Sequence, residues 1–252
     1  MATKKVDVVF VIDASGSMSP CIRAVLSNIG KVVGDLQQMS FRTRLGAVIH
    51  NVVAREKVRL TSVYTQLNGG HMLDALYRGA QMPLFTEDTE EFCQSIGTIS
   101  AAGDEDMLMA LDCALDFPFG SPSDTQRAVV LLSDEPFDGN YRFSEHSAEY
   151  AQKALRMVKK INDRHILLFT VMPDCEIADV LAASARAFKI VVSDEMQGTG
   201  LASFDFTRFF SNLGQTISAT WRQMRLDKPY EKALFGQDRY VACGELEDME
   251  GA

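Results

Sequence analysis

Apolar residues along the chain alternate between short continuous runs and longer stretches with a helical period. The first run, 6–12, is rich in β-branched residues and ends abruptly at Asp13. Similar apolar runs cover 44–51, 127–132, 164–172 and 188–192. Continuous runs of this length are typical of parallel strands that are buried on both faces. A further segment, 56–63, alternates polar and apolar residues, which predicts a half-exposed edge strand that is antiparallel to its neighbour.

Between these runs, apolar residues recur every three or four positions, which predicts helices. The predicted helices cover 22–39, 87–96, 107–116, 144–161, 175–187 and 203–221. Thr86 is expected to cap the helix at 87–96, whose acidic first turn suits the positive end of the helix dipole. The segment 65–83 contains adjacent glycines and is interpreted as an insertion or an elaborated hairpin.

The alternation of strands and helices predicts an α/β fold of the doubly wound, Rossmann-like type. We expect a mostly parallel six-stranded sheet with one antiparallel edge strand and helices on both faces. Residues 1–222 form one domain in this interpretation, and 223–252 form a C-terminal tail with an acidic end. Ligands bind such sheets beyond the carboxyl ends of the strands, where the strand order reverses. If the strands 6–12 and 127–132 flank that point, the acids that follow them come together.

Charge and cysteine content limit which classes of partner and which cellular compartment fit the chain. The net charge of −9 and the lack of a clustered basic face argue against nucleic acid as a partner. The 5 cysteines are widely spaced and include no Cys-x-x-Cys pair, which indicates reduced core thiols. The start of the chain, Met1–Lys5, is followed by only seven strand-like residues, which are too few for a signal-peptide core or a membrane span. We therefore expect a cytoplasmic protein that does not associate with membranes.

Polar residues that suit a metal ion follow the predicted strands. Asp13, Ser15 and Ser17 form an Asp-x-Ser-x-Ser string directly after the first strand, and Asp134 follows the strand 127–132. Asp104 lies in a loop before a helix. Carboxylate and hydroxyl oxygens are hard ligands, so the pattern predicts a magnesium site. Each aspartate could instead cap a helix or turn, and Asp104 is well placed as an N-cap.

Together these motifs resemble the von Willebrand factor type A (vWA) domain with its metal-ion-dependent adhesion site, in a bacterial-type intracellular member. The resemblance covers about residues 5–222. By position, it implies that the metal ligands are Asp13, Ser15, Ser17, Asp104 and Asp134. Glu105 is the alternative to Asp104 in the second loop.

What the resemblance implies is a binding module rather than an enzyme. The ion, magnesium rather than calcium or manganese, keeps an open position that an Asp or Glu of a partner protein fills. The serine ligands are neutral and leave the cation underneutralised, so an incoming carboxylate gains a strong contact. By analogy, the partner belongs to a complex with an ATPase, kinase, phosphatase or stress-response protein.

The alternative is a magnesium-dependent hydrolase of the phosphoaspartyl type with Asp13 as the nucleophile. Such hydrolases carry a general acid or base two residues after the nucleophile, where this chain has Ser15. The sequence also lacks the complete nucleophile elbow and the phosphate-binding glycine loop of other enzyme classes. The absence of these groups favours the binding module.

Overall fold

The computed structural model describes residues 4–14, 18–50, 63–66, 84–97, 107–137, 144–192, 201 and 204–225. Its strands are β1 (Lys4–Asp13), β2 (Phe41–His50), β3 (Val63–Gln66), β4 (Thr125–Leu132), β5 (Ile166–Met172) and β6 (Ala187–Val191). Its helices are α1 (Ser19–Gln38), α2 (Thr89–Gly97), α3 (Met107–Leu115), α4 (Ser144–Asp163), α5 (Glu176–Ala182) and α6 (Phe206–Arg225).

The sheet runs in the order β3-β2-β1-β4-β5-β6, with β3 as a short extension at the β2 edge. Each pair of neighbouring strands is parallel. The chain therefore builds outward from β1 through β2 to β3 and then crosses to β4 on the other side of β1. This reversal of strand order lies between β1 and β4, which is the condition under which Asp13 and Asp134 were expected to come together.

Two apolar layers enclose the sheet. On one face, Val8 and Phe10 of β1 pack with the buried sides of α1, α2 and α6. On the other face, Val9 and Val11 pack with those of α3, α4 and α5. A strand buried on both sides needs apolar residues at every position, which explains the continuous run at 6–12. The predicted α/β fold with parallel strands and helices is confirmed.

The predicted antiparallel edge strand is wrong. The strand that pairs with β2 at this edge is β3, Val63–Gln66, and it runs parallel to β2. Most of the predicted strand, 56–62, lies outside the described residues, as does 67–83 of the predicted insertion. Among the described residues, antiparallel pairing is confined to one bridge between Leu45 and Thr86. Polar–apolar alternation reports that one face of a strand is exposed, but it carries no information on strand direction.

Local hydrogen bonds also move several predicted boundaries. The cap of α2 is Asp88 rather than Thr86, because Asp88 Oδ1 accepts the amide hydrogens of Glu90 and Glu91, each at 2.9 Å. The helix predicted over 175–187 ends at Ala182, since a turn leads into β6. In that turn, the amide of Arg186 donates to the Ser184 hydroxyl at 3.1 Å. The last helix extends to Arg225, and the remainder of the predicted tail, 226–252, lies outside the described residues.

None of the helices in the described part of the chain has the length and apolar character needed to cross a membrane.

Candidate metal site

The end of β1 places Asp13 at the carboxyl edge of the sheet, where the strand order reverses. Asp13 is fully buried, and Ile12 before it pairs with Leu132, the last residue of β4. Ser133 and Asp134 therefore follow β4 directly beside Asp13. Both aspartates are positioned by the same local rule, in which a buried apolar strand ends at the first polar residue.

Ser133 connects the two strand ends. Its hydroxyl donates a hydrogen bond to Asp13 Oδ2 at 2.9 Å, and the side chain is fully buried. The sequence identifies Ser133 only as the residue before Asp134 and gives it no role in the site. Its place immediately after a buried strand is the signal that could have suggested one.

Asp134 provides a test of whether the site suits a cation. The residue is 4% exposed, yet neither carboxylate oxygen has a hydrogen-bond partner among the described residues. Buried polar groups almost always have partners, because removing them from water is costly. A cation bound to these oxygens would supply the missing interaction, so the side chain fits a metal ligand.

The thiol of Cys21, in the first turns of α1, is affected by the negative charge of this site. The thiol is fully buried. Burial raises the pKa of Cys21 to about 12, and the negative charges of Asp134 and Asp13 contribute to the increase. Both carboxylates therefore lie close enough to Cys21 to disfavour a further negative charge. The sequence interpretation of Cys21 as a reduced core thiol agrees with the structure, in which it is a free cysteine.

The raised pKa of Cys21 predicts a loss of stability at alkaline pH. In the unfolded chain the thiol ionises near its ordinary pKa of 9.0, whereas the folded protein keeps the proton until about pH 12. The contribution is fully present below pH 9 and falls by up to about 1.4 kcal/mol per pH unit above it. Urea unfolding between pH 8 and 11 should therefore show a steeper decline for the wild type than for Cys21→Ala. Parallel declines would contradict this assignment.

The other predicted ligands, Ser15, Ser17 and Asp104, lie outside the described residues, as does the alternative Glu105. Within the described ranges, no three His, Cys, Asp or Glu side chains form a group that could hold a metal ion. The described part of the candidate site thus consists of two buried carboxylates and the serine between them.

A separate cavity of about 270 Å³ lies at the opposite edge of the sheet, near the start of β1 and β2. Its charged lining is arranged as ion pairs. Arg44 binds the buried Asp7 through two bonds of 2.7 and 2.6 Å, Arg42 binds Glu87, and Lys5 binds Asp124. These charges neutralise each other, which distinguishes the cavity from the carboxyl edge, where the Asp134 oxygens have no hydrogen-bond partner among the described residues.

Comparison with known proteins shows the fold alone. No protein-family model matches the chain, and no curated protein matches it. Among solved structures, the pilus adhesin SpaC from Lactobacillus rhamnosus GG, in its open conformation, is similar with a TM-score of 0.50 and 11% identity. The match covers 86% of this chain and 30% of SpaC. Another SpaC structure gives a TM-score of 0.48 at 11% identity, covering 86% of this chain and 31% of SpaC. The chain thus spans about a third of that protein.

Proposed function

We propose that this chain is a magnesium-dependent protein–protein interaction module of the vWA type. Asp13 and Asp134 would hold the ion together with Ser15, Ser17 and Asp104 of the neighbouring segments. The observation that carries the proposal is the buried carboxylate of Asp134, which lies beside Asp13 where the strand order reverses and has no hydrogen-bond partner within the described ranges. The ion would supply an open coordination position for a carboxylate of a partner protein.

The chemistry of the side chains supports magnesium as the ion. Oxygen ligands suit hard cations, and a site with few carboxylates that retains water favours magnesium over calcium. The serine ligands add no charge, so the ion keeps a positive charge that attracts an Asp or Glu of the partner. We also propose that the protein is cytoplasmic. Cysteines outside disulfides suit a reducing compartment, and those in the described residues are Cys21, Cys93, Cys113 and Cys175.

The hydrolase alternative requires a proton-transfer group near Asp13. The hydroxyl of Ser133 donates to Asp13, and a serine hydroxyl does not ordinarily act as a general acid at neutral pH. The acid or base expected two residues after the nucleophile is replaced by Ser15 in the sequence. These residues support binding over turnover.

Calorimetric titration of magnesium into the wild type and Asp13→Ala tests the proposal. We expect saturable binding by the wild type and at least a tenfold loss of affinity in the variant, because a buried anionic ligand is removed. Asp174→Ala is the matched control. Asp174 follows β5 at the same edge of the sheet, but its side chain is 53% exposed and pairs with Lys189. Absent or equal binding heats in the wild type and Asp13→Ala would reject the metal site.

The docking role is tested with the same variants once a partner is in hand. The partner should bind the wild type and Asp174→Ala in magnesium, and EDTA should release it. Asp13→Ala should fail to bind under either condition, since the carboxylate of the partner needs the ion. Affinity that is unchanged by EDTA would reject docking through the metal.

A further inference from the structure

Ser133, directly after β4, makes hydrogen bonds through both its hydroxyl and its backbone amide. Its hydroxyl lies 2.9 Å from Asp13 Oδ2 and 2.9 Å from the carbonyl oxygen of Glu135. The same oxygen accepts the amide hydrogen of Glu135 at 3.1 Å. The backbone of Ser133 is also fixed, because its amide donates to the carbonyl of Val171 in β5 at 3.1 Å. One buried hydroxyl thus joins the end of β1 to the loop that carries Asp134.

The hydroxyl has one hydrogen to share between two acceptors. The amide of Glu135 occupies an acceptor position on the serine oxygen, so the hydrogen is divided between Asp13 and the Glu135 carbonyl. A hydrogen bond to a carboxylate is about twice as strong as one between neutral groups. The bond to Asp13 is therefore the stronger of the two, and it fixes the rotation of the Asp13 carboxylate.

This geometry bears on how the two aspartates can act together. Asp13 and Asp134 are both buried, and they follow neighbouring strands in which Ile12 pairs with Leu132. They therefore place like charges at adjacent strand ends, in a region of low polarity. Like charges favour a loop that moves away from the strand end. The Ser133 hydroxyl opposes this movement, since it binds Asp13 on one side and both backbone groups of Glu135 on the other.

We propose that Ser133 is the positioning residue of the magnesium site. It holds Asp13 and the Asp134 loop in register before the ion arrives, and it does so without being a ligand. This inference rests on the proposed function and adds to it the group that determines how strongly the site binds magnesium. Groups that orient metal ligands in this way typically change metal affinity by about 10–100-fold when removed.

The test compares magnesium affinity by calorimetry in Ser133→Ala, Ser133→Thr and the wild type. Ser133→Ala should bind magnesium at least about tenfold more weakly. Ser133→Thr keeps the hydroxyl and should restore affinity to within about threefold of the wild type. If circular dichroism shows that Ser133→Ala is not folded, Ser133→Cys replaces it, because the thiol has a similar shape but is a weaker donor. Its affinity should lie between those of the wild type and a protein without the hydroxyl.

Ser184 provides a matched control for the loss of a buried hydroxyl. It is 2% exposed, its hydroxyl donates to Asn162 Oδ1 at 2.8 Å, and it accepts the amide hydrogen of Arg186. Ser184 therefore accepts from the amide two residues on, as Ser133 does, but it lies before the start of β6, at the opposite edge of the sheet from both aspartates. Ser184→Ala should lower the melting temperature as Ser133→Ala does, while its magnesium affinity stays at the wild-type value.

The possible outcomes separate this inference from the proposed function. Wild-type magnesium binding with unchanged affinity in Ser133→Ala would overturn the positioning role and leave the metal site standing. Equal weakening by Ser133→Thr and Ser133→Ala would also overturn it, since the hydroxyl would then not be the active group. Wild-type protein without saturable magnesium binding would reject the proposed function, and the positioning role with it.

Discussion

Asp134→Asn is expected to raise the free energy of unfolding of the metal-free protein by about 2 kcal/mol. The Asp134 carboxylate is 4% exposed, and its oxygens have no hydrogen-bond partner in the described part of the chain. Asp13 places a second negative charge close to it. Asparagine keeps the size of the side chain and removes the charge. Urea unfolding in EDTA measures the difference, and Asp174→Asn, which changes an exposed aspartate at the same edge, serves as the control.

Magnesium should reverse the order of stability of the two proteins. At a magnesium concentration 100 times the dissociation constant, the wild type should gain about 2.7 kcal/mol, because only the folded state binds the ion. Asp134→Asn should gain nothing, since an amide is a poor replacement for a carboxylate ligand. A metal-free Asp134→Asn protein that is less stable than the wild type would show that Asp134 has a stabilising contact of its own.

Arg44→Ala is expected to lower the free energy of unfolding by about 3 kcal/mol. Asp7 is 1% exposed and depends on two bonds from Arg44 and one of 2.7 Å from the amide of Gly120. Removal of the arginine leaves a buried negative charge whose remaining hydrogen-bond donor, within the described residues, is the amide of Gly120. The guanidinium also lies 4.7 Å from the centre of the Phe85 ring, so a cation–π contact is lost.

Arg42→Ala is the matched control for Arg44→Ala. Arg42 lies on the same strand and face, and it also binds a carboxylate through two nitrogens, that of Glu87. Both partners of that pair are exposed, so water and salt screen the interaction. Urea unfolding should therefore show little change for Arg42→Ala. Equal destabilisation by both variants would mean that burial of Asp7 does not determine the strength of its ion pair.

The fold followed from the sequence where local pattern and final environment agree. The run 6–12 became the central part of β1, and the periodic residues of 22–39 became the buried side of α1. The direction of the strand next to β2 did not follow from the sequence, since it depends on the path of the chain between β2 and β3. The α2 cap was misassigned because Thr86 and Asp88 are both good cap residues, and only the backbone geometry chose between them.

The candidate site likewise has features that the sequence predicted and features that it did not. The sequence placed Asp13 and Asp134 at strand ends, and the strand order of the structure brought those ends together. It did not indicate the bond from Ser133 to Asp13, or the approach of Cys21 to both carboxylates. Serine is common at turns, and a buried cysteine has an ordinary role as a core residue. Ser133 is distant in sequence from Asp13, and Cys21 from Asp134, so the spacing of these residues along the chain does not predict their interactions.

The alternation of buried strands and helices follows from the amino-acid sequence, and so does the position of an acid at the end of β1 and after β4. These properties are local, because the burial of a strand selects its own residues and the first polar residue ends it. The packing of the folded chain determines which strand ends are neighbours and which hydroxyl binds Asp13. It also buries Asp134, whose oxygens have no hydrogen-bond partner in the part of the chain that the structure describes. Such contacts join segments that are distant in sequence, and they are set by the order of strands in the sheet rather than by any one segment.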